Sequence, residues 1–308
     1  MPKHRQDTYQ LITDTIIGLI ETHGANWTKP WSGNGGSGAR PISVSTGKPY
    51  RGCNPLLLWA AGYSDHRWGT YKAWQEKGCQ VRKGEKGTKI TFFKTLDIKD
   101  KDTGDDVTVP FLRVTSVFNA EQVDGVEPLP APEGPESAAE ADERVEAAIA
   151  FAKATGADIR ITAGSDRAFY KPTADYIVVP AISDFIGTST SSAQEAFAGT
   201  LLHELGHWTG HRSRLNRPLL NGFGSEDYAK EELVAELVAE LAATFLCSDL
   251  GISAEPRPDH AQYLAAWLKA LKNDKRLIVR ASSQAHKAVD FLHDLQPEQE
   301  QESAAEAA

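Results

Sequence analysis

Sulfur is nearly missing from this chain. Its 308 residues hold one methionine, Met1, and three cysteines, Cys53, Cys79 and Cys247. An odd number of widely spaced cysteines excludes a disulfide framework and a cysteine-based metal site, and fits a reducing compartment. No run approaches the roughly 18 consecutive apolar residues that a membrane-spanning helix requires. No apolar stretch follows the N-terminal charges in the manner of a secretory signal, so a cytoplasmic location is expected. Zinc-finger, RNP and glycine-rich phosphate-loop patterns are missing too, as is any internal repeat. What remains is an apolar fraction of 41%, ordinary for a globular protein, in a chain long enough for two domains with cores.

Charge and tryptophan are unevenly spread. Residues 1–125 carry 17 Lys+Arg against 13 Asp+Glu, a net of +4, and residues 126–308 carry 16 against 29, a net of −13. Within 29–94 the balance is 12 to 3, or +9. Five of the seven tryptophans (Trp27, Trp31, Trp59, Trp68, Trp74) fall in the first 74 residues, mixed with Tyr50, Tyr63 and Tyr71 and with Arg51, Lys72, Arg82, Lys83, Lys86 and Lys89. Cations that follow phosphates and aromatic faces that stack on bases are how single strands are held. Any one tryptophan is more simply read as core; the cluster of turn cations at Arg82–Lys89 is not, because turn lysines are exposed.

The second half is organised around Thr200-Leu-Leu-His-Glu-Leu-Gly-His-Trp-Thr-Gly-His211. It contains His203-Glu204-x-x-His207, and on a helix residues i and i+4 share a face, so both imidazoles can point at one ion. Two neutral histidines and one further ligand leave a position open on Zn²⁺ for a water whose pKa falls to roughly 7, and Glu204 can take its proton. Ser192 followed by Glu195 forms a capping box that starts the helix. Phe197, Leu201, Leu202 and Leu205 bury it, and Gly206 allows another backbone to come close. The metzincin extension fails: Gly210 takes its glycine place, but Ser213 stands where a third histidine belongs, and with Met1 alone there is no Met-turn. His211 lies a turn beyond His207 and reads as a helix cap, a group behind the ligands, or an alternative ligand.

A third ligand is expected from Ser225–Leu246, which reads as one long helix ended at Gly251. Leu233, Val234, Leu237, Val238, Leu241, Ala242 and Phe245 cover most of its circumference. Glu232, Glu236 and Glu240 form an acidic row at i, i+4 and i+8, where like charges repel by a few tenths of a kcal/mol per pair. A cation opposite the row explains it. Glu232 is the expected ligand, with Glu236 as the alternative or as a group orienting a ligand from behind.

Thr46-Gly-Lys-Pro-Tyr-Arg-Gly-Cys-Asn54, Trp68-Gly-Thr-Tyr-Lys-Ala-Trp74, Val81-Arg-Lys-Gly-Glu-Lys86 and Phe118-Asn-Ala-Glu-Gln-Val-Asp-Gly125 together resemble the N-terminal domain of ArdC-type antirestriction proteins, a domain shared with TraC-type plasmid primases. His203–His211 and Tyr228–Leu246 resemble that family's zincin-like C-terminal domain. The resemblance implies an α+β fold in two domains. A small basic α+β domain binding single-stranded DNA spans 1–125, and a Pro/Glu/Ala-rich linker spans 126–141. A zincin-like metallopeptidase domain with the HExxH helix and the long glutamate-bearing helix spans 142–295. A disordered acidic tail spans 296–308. The positions assigned to DNA are Lys48, Tyr50, Arg51, Asn54, Trp68, Tyr71, Lys72, Trp74, Arg82, Lys83 and Lys86. The metal positions carry onto His203 and His207 and the general base onto Glu204, with Zn²⁺ or another divalent transition metal as cofactor.

The expected function is that of a plasmid-borne antirestriction protein that binds single-stranded DNA non-specifically and carries a zinc-dependent peptidase site. The alternative is a DNA-coating protein whose metal domain is structural or binds a partner without proteolysis. A host restriction protein or another DNA-bound protein is the expected protein partner, and no membrane is involved.

Overall fold

The computed structural model describes residues 7–23, 39–99, 104–129, 138–187, 191–217, 226–252 and 260–297. Trp27, Trp31, half of the expected linker (130–137) and the expected tail beyond 297 lie outside the described residues. No described helix is long and apolar enough to cross a membrane.

The N-terminal half opens with helix α1 (Thr8–His23), whose Ile12 and Ile16 lie one turn apart and are buried. Strand β1 (Ile42–Ser43), helix α2 (Asn54–Trp59), strand β2 (Arg67–Gly69) and helix α3 (Tyr71–Glu76) follow. As a sequence, residues 68–77 read as one short helix. Instead Thr70 caps a shorter one, its hydroxyl accepting from the Ala73 amide, and Trp68 stays in a strand. Strand β3 (Gln80–Val81) precedes the long hairpin of β4 (Thr88–Lys99) and β5 (Asp106–Asn119), and β6 (Val123–Asp124) returns to pair with β3. The sheet order is β1-β2-β5-β4, with β1 and β2 parallel and the other pairs antiparallel.

The C-terminal half begins with α4 (Ala138–Ala154), which starts within the stretch expected as linker. Strands β7 (Asp158–Thr162), β8 (Phe169–Lys171) and β9 (Tyr176–Pro180) form a sheet of order β7-β9-β8, with β7 and β9 parallel. Helices α5 (Ala193–Trp208), α6 (Glu226–Asp249), α7 (His260–Asn273) and α8 (Leu277–Asp294) complete it. α6 ends as read from the sequence: Gly251 takes φ +68°, the left-handed conformation in which a side chain is strained.

The halves share one apolar core. Ile12, Ile16, Cys53, Leu56, Leu57 and Trp59 join the cluster built from α4, α5, α6 and α8, around Phe197, Leu202, Phe245 and Leu292. Polar contacts close the seam. Thr13 Oγ1 donates to the Lys275 carbonyl at 2.9 Å, Arg40 meets Asp249 at 2.6 Å, and Arg51 Nη1 donates to Asp290 Oδ1 at 2.8 Å.

Candidate metal centre

α5 begins at the expected capping box: Ser192 Oγ accepts from the Glu195 amide, and the Glu195 carboxylate accepts from the Ser192 amide. The helix is buried along most of its length, and α6 crosses it at Gly206. A β-carbon on Gly206 would stand 2.9 Å from Ala239 Cα and 3.2 Å from Ala239 O. That close approach is possible only without a side chain, and it decides which part of the acidic row on α6 faces the two histidines.

His203 and His207 turn their Nε2 atoms toward each other, 3.1 Å apart. Glu236 spans the pair, with Oε2 3.4 Å from His203 Nε2 and Oε1 3.3 Å from His207 Nε2. These three donors converge within 4.8 Å of one another. The expected ligand Glu232 is exposed and stands outside the group. The reason is the crossing point: Glu236 lies within one turn of Ala239, whereas Glu232 is seven residues before it, roughly 10 Å along the axis. One turn beyond Glu236, Glu240 Oε2 accepts from His203 Nδ1 at 3.2 Å. In sequence Glu240 is only the last member of the acidic row, and its i+4 step from Glu236 is the signal for this role. With Nδ1 donating to Glu240, a neutral His203 ring would present its Nε2 lone pair to an ion at the centre.

The electrostatics ask for positive charge here. Burial pushes the His203 ring toward its neutral form, but Glu236 and Glu240 outweigh it and raise its pKa to about 9. Burial likewise pushes the Glu236 carboxyl up, and the hydrogen bonds from His203 and His207 overcome this and hold it below the usual carboxylate range. Glu204, beside His203, is itself buried. With neutral imidazoles, three carboxylates would thus surround one small space, an arrangement that needs a compensating cation. Donors on a tetrahedral ion at 2.0–2.1 Å are separated by about 3.3–3.4 Å. The His203 Nε2–His207 Nε2 separation of 3.1 Å fits that value within about 0.2 Å, and Glu236 reaches the two rings with one oxygen each, at 3.4 and 3.3 Å.

The segment after α5 folds back on its C-terminal end. Thr209 Oγ1 donates to the Gly206 carbonyl at 2.7 Å, and Arg217 Nη2 donates to the same oxygen. Burial lowers the Arg217 pKa to about 10. Arg214 donates to the Trp208 carbonyl at 2.6 Å, stacks 3.9 Å over the Trp208 ring and pairs with Asp175, whose pKa it lowers to about 2. Cations on the last carbonyls of a helix suit its dipole. His211 sits in this turn, its ring bonded to Ser213 at 2.7 Å, and is not part of the converging group.

The residues expected to hold DNA divide into two sets. Tyr50, Asn54, Trp68 and Trp74 are buried. Asn54 holds the Thr91 backbone through two 2.8 Å hydrogen bonds, and Trp74 Nε1 donates to the Phe118 carbonyl at 3.0 Å. A domain this small spends its large rings on its own core, so these three aromatics present no face for stacking. Arg51 is committed to Asp290 on both oxygens. Lys48, Tyr71, Lys72, Arg82, Lys83 and Lys86 are exposed. Lys72 lies 3.4 Å from Glu76, and Arg82 lies between Glu85 at 3.2 Å and Asp124 at 3.7 Å.

Comparison with known proteins places two families on the chain. Residues 6–118 match the N-terminal domain of anti-restriction factor ArdC, and residues 146–284 match a zincin-like metallopeptidase family. The uncharacterized protein y4eC of Sinorhizobium fredii is 38% identical over 318 residues, covering 100% of this chain and 98% of that protein. A DNA primase TraC of Escherichia coli is 39% identical over 325 residues, but the chain spans only 29% of the primase. Among solved structures, the metal-free crystal structure of the antirestriction protein ArdC from plasmid R388 is 40% identical with a TM-score of 0.72, covering 94% of this chain and 97% of that one. Its Mn(II)-bound structure is 39% identical with a TM-score of 0.71, covering 94% and 98%.

Proposed function

Since this chain belongs to the ArdC family of antirestriction proteins, with an ArdC N-terminal domain and a zincin-like domain, we propose that it binds single-stranded DNA without sequence preference and carries a divalent-metal peptidase site that acts on a DNA-bound protein. The observation that carries the peptidase half is the convergence of His203, His207 and Glu236 beside a buried Glu204. His203, His207 and Glu236 would hold the ion, and the Mn(II) form of the R388 protein supports a divalent metal without choosing zinc. When bound, such an ion supplies Lewis acidity and brings water to a pKa of roughly 7. The chain's own residues do the rest. Glu240 holds the His203 ring in the tautomer that presents Nε2. Glu204 accepts a proton from the attacking water and returns it to the leaving amide nitrogen. The buried walls from Phe197, Leu201 and Leu205 exclude bulk water from the helix face behind them.

The DNA half rests on the +9 balance of residues 29–94 and on the exposed Lys48, Lys72, Lys83 and Lys86. Counterion release makes such binding steeply salt-dependent, with a log–log slope of roughly −0.7 per phosphate neutralised on single strands. The chain spans 29% of one TraC primase and 20% of another, and the priming of those proteins is not assigned to it.

The decisive experiment compares Glu204→Gln with the parent chain in two assays side by side. One is protection of unmodified plasmid DNA entering a restricting host; the other is cleavage of a quenched fluorescent peptide library. The variant should keep its metal and its melting temperature and lose both cleavage and protection. Protection that survives without cleavage would assign the biological effect to DNA coating.

A further inference from the structure

Resting on the single-stranded DNA reading above, we propose that the outer part of the β4–β5 hairpin carries a base-stacking site formed by Phe92 and Arg113. β2 pairs only with the last two residues of β5, Phe118 and Asn119, so from Thr88↔Val117 to Lys99↔Asp106 the ladder is a two-stranded ribbon. Directly opposed residues of an antiparallel pair lie on the same face. On one face Ile90 and Val117 belong to the core beside Trp68. The next pair outward on that face is Phe92↔Arg113. There the face leaves the core: Phe92 is 45% exposed, and Arg113 is exposed. Among the described residues no carboxylate pairs with Arg113.

Among the described aromatic side chains of the N-terminal half this juxtaposition stands apart. Tyr50, Trp59, Trp68 and Trp74 are buried, and of the aromatic side chains described between 39 and 129 only Tyr71 and Phe92 are exposed. A lone exposed phenylalanine is ordinary; one set across a strand from a guanidinium that no described carboxylate holds has the two parts a nucleotide needs. The ring offers a face to a base, and the guanidinium, at a cross-strand Cα separation of about 4.5–5.5 Å, reaches the adjoining phosphate or stacks on the same base. The net +9 of residues 29–94 selects a polyanion.

The test uses the full chain and fluorescence anisotropy with a labelled oligothymidylate and the same oligonucleotide carrying abasic sites. Phe92→Leu should weaken oligothymidylate binding on the order of 5- to 150-fold, the range for loss of one stacked base, with little change in salt slope. It should lose nothing further on the abasic strand. Phe92→Trp should bind at least as well as the parent. Arg113→Gln should flatten the log–log salt slope by roughly 0.7. An unchanged melting temperature shows that these exposed positions leave the fold intact. Parent-like binding by Phe92→Leu overturns the ribbon site while leaving the DNA reading in place. So does a parent dimer in sedimentation that Phe92→Leu makes monomeric, since the face would then be a self-association surface. No salt-dependent binding by the parent chain refutes the DNA reading itself.

Discussion

α5 comes close to the α6 backbone at Gly206, and replacing that glycine by alanine tests whether the approach builds the metal centre. The new β-carbon would lie 2.9 Å from Ala239 Cα, 3.2 Å from Ala239 O and 3.3 Å from Ala239 Cβ. Carbon contacts are attractive near 3.5–4.0 Å, so α5 and α6 must part by at least about 0.6 Å. Overpacking of this kind costs roughly 1–3 kcal/mol. The exchange of glycine for alanine within a helix returns about 1 kcal/mol. The net loss of stability is therefore modest, about 0–2 kcal/mol, or a few degrees in melting temperature for a chain of this size. The metal centre suffers more. His203 and His207 flank Gly206 on α5, and Glu236 lies three residues before Ala239 on α6, so the same displacement separates the histidine pair from its carboxylate. Metal–ligand distances tolerate about 0.2 Å. Mn²⁺ and Zn²⁺ affinity, measured by competition with a chromophoric chelator, should fall tenfold or more while the protein stays folded. Adding Ala239→Gly should recover little, because it removes only the longest of the three contacts and leaves two backbone atoms in place. A Gly206→Ala protein with parental metal affinity would refute the argument, and so would full rescue by Ala239→Gly.

Three further outcomes are expected. Glu236→Gln should abolish stoichiometric metal binding and Glu232→Gln should not, while Glu240→Gln should weaken affinity by about 10–100-fold with binding kept at saturation, all read by metal analysis after dialysis; an empty Glu232→Gln protein beside a loaded Glu236→Gln protein reverses the assignment. His286 is buried and donates from Nδ1 to the Ser282 carbonyl at 3.1 Å, and its pKa is lowered to about 4 by burial and by Arg40 and Arg51, against Asp290. Its ring takes up a proton near pH 6.5 when unfolded but only near 4 when folded, so its contribution is complete above 6.5 and is lost as pH falls toward 4, at up to about 1.4 kcal/mol per pH unit. Urea melts at pH 7 and pH 4.5 should differ less for His286→Gln than for the parent, and equal differences would rule the ring out as the cause. Trp68→Ala and Trp74→Ala should each lower stability by about 3–5 kcal/mol in urea melts, as core rings do, and parental stability would show that neither ring is core.

Much of the centre was legible in the sequence because it is local. Four residues of helix bring His203 and His207 to one face whatever surrounds them, and Ser192 with Glu195 sets where that helix starts. The third carboxylate was not. Glu232, Glu236 and Glu240 are equivalent in a helical repeat, and only the crossing of α5 over α6 at Gly206 and Ala239 sets Glu236 against the histidine pair, Glu240 behind His203 and Glu232 in solvent.

The N-terminal half divides the same way. Composition determined that residues 29–94 are strongly cationic and rich in large rings, because charge and residue type need no fold to be counted. Which rings meet solvent was decided by packing. Trp68 and Trp74 close two small cores, Asn54 ties down the Thr91 backbone, and Arg51 turns to Asp290 in a helix more than two hundred residues away. Local spacing determines what a side chain is able to do; whether it faces an ion, a base or another side chain depends on partners remote in sequence, which the tertiary structure alone brings together.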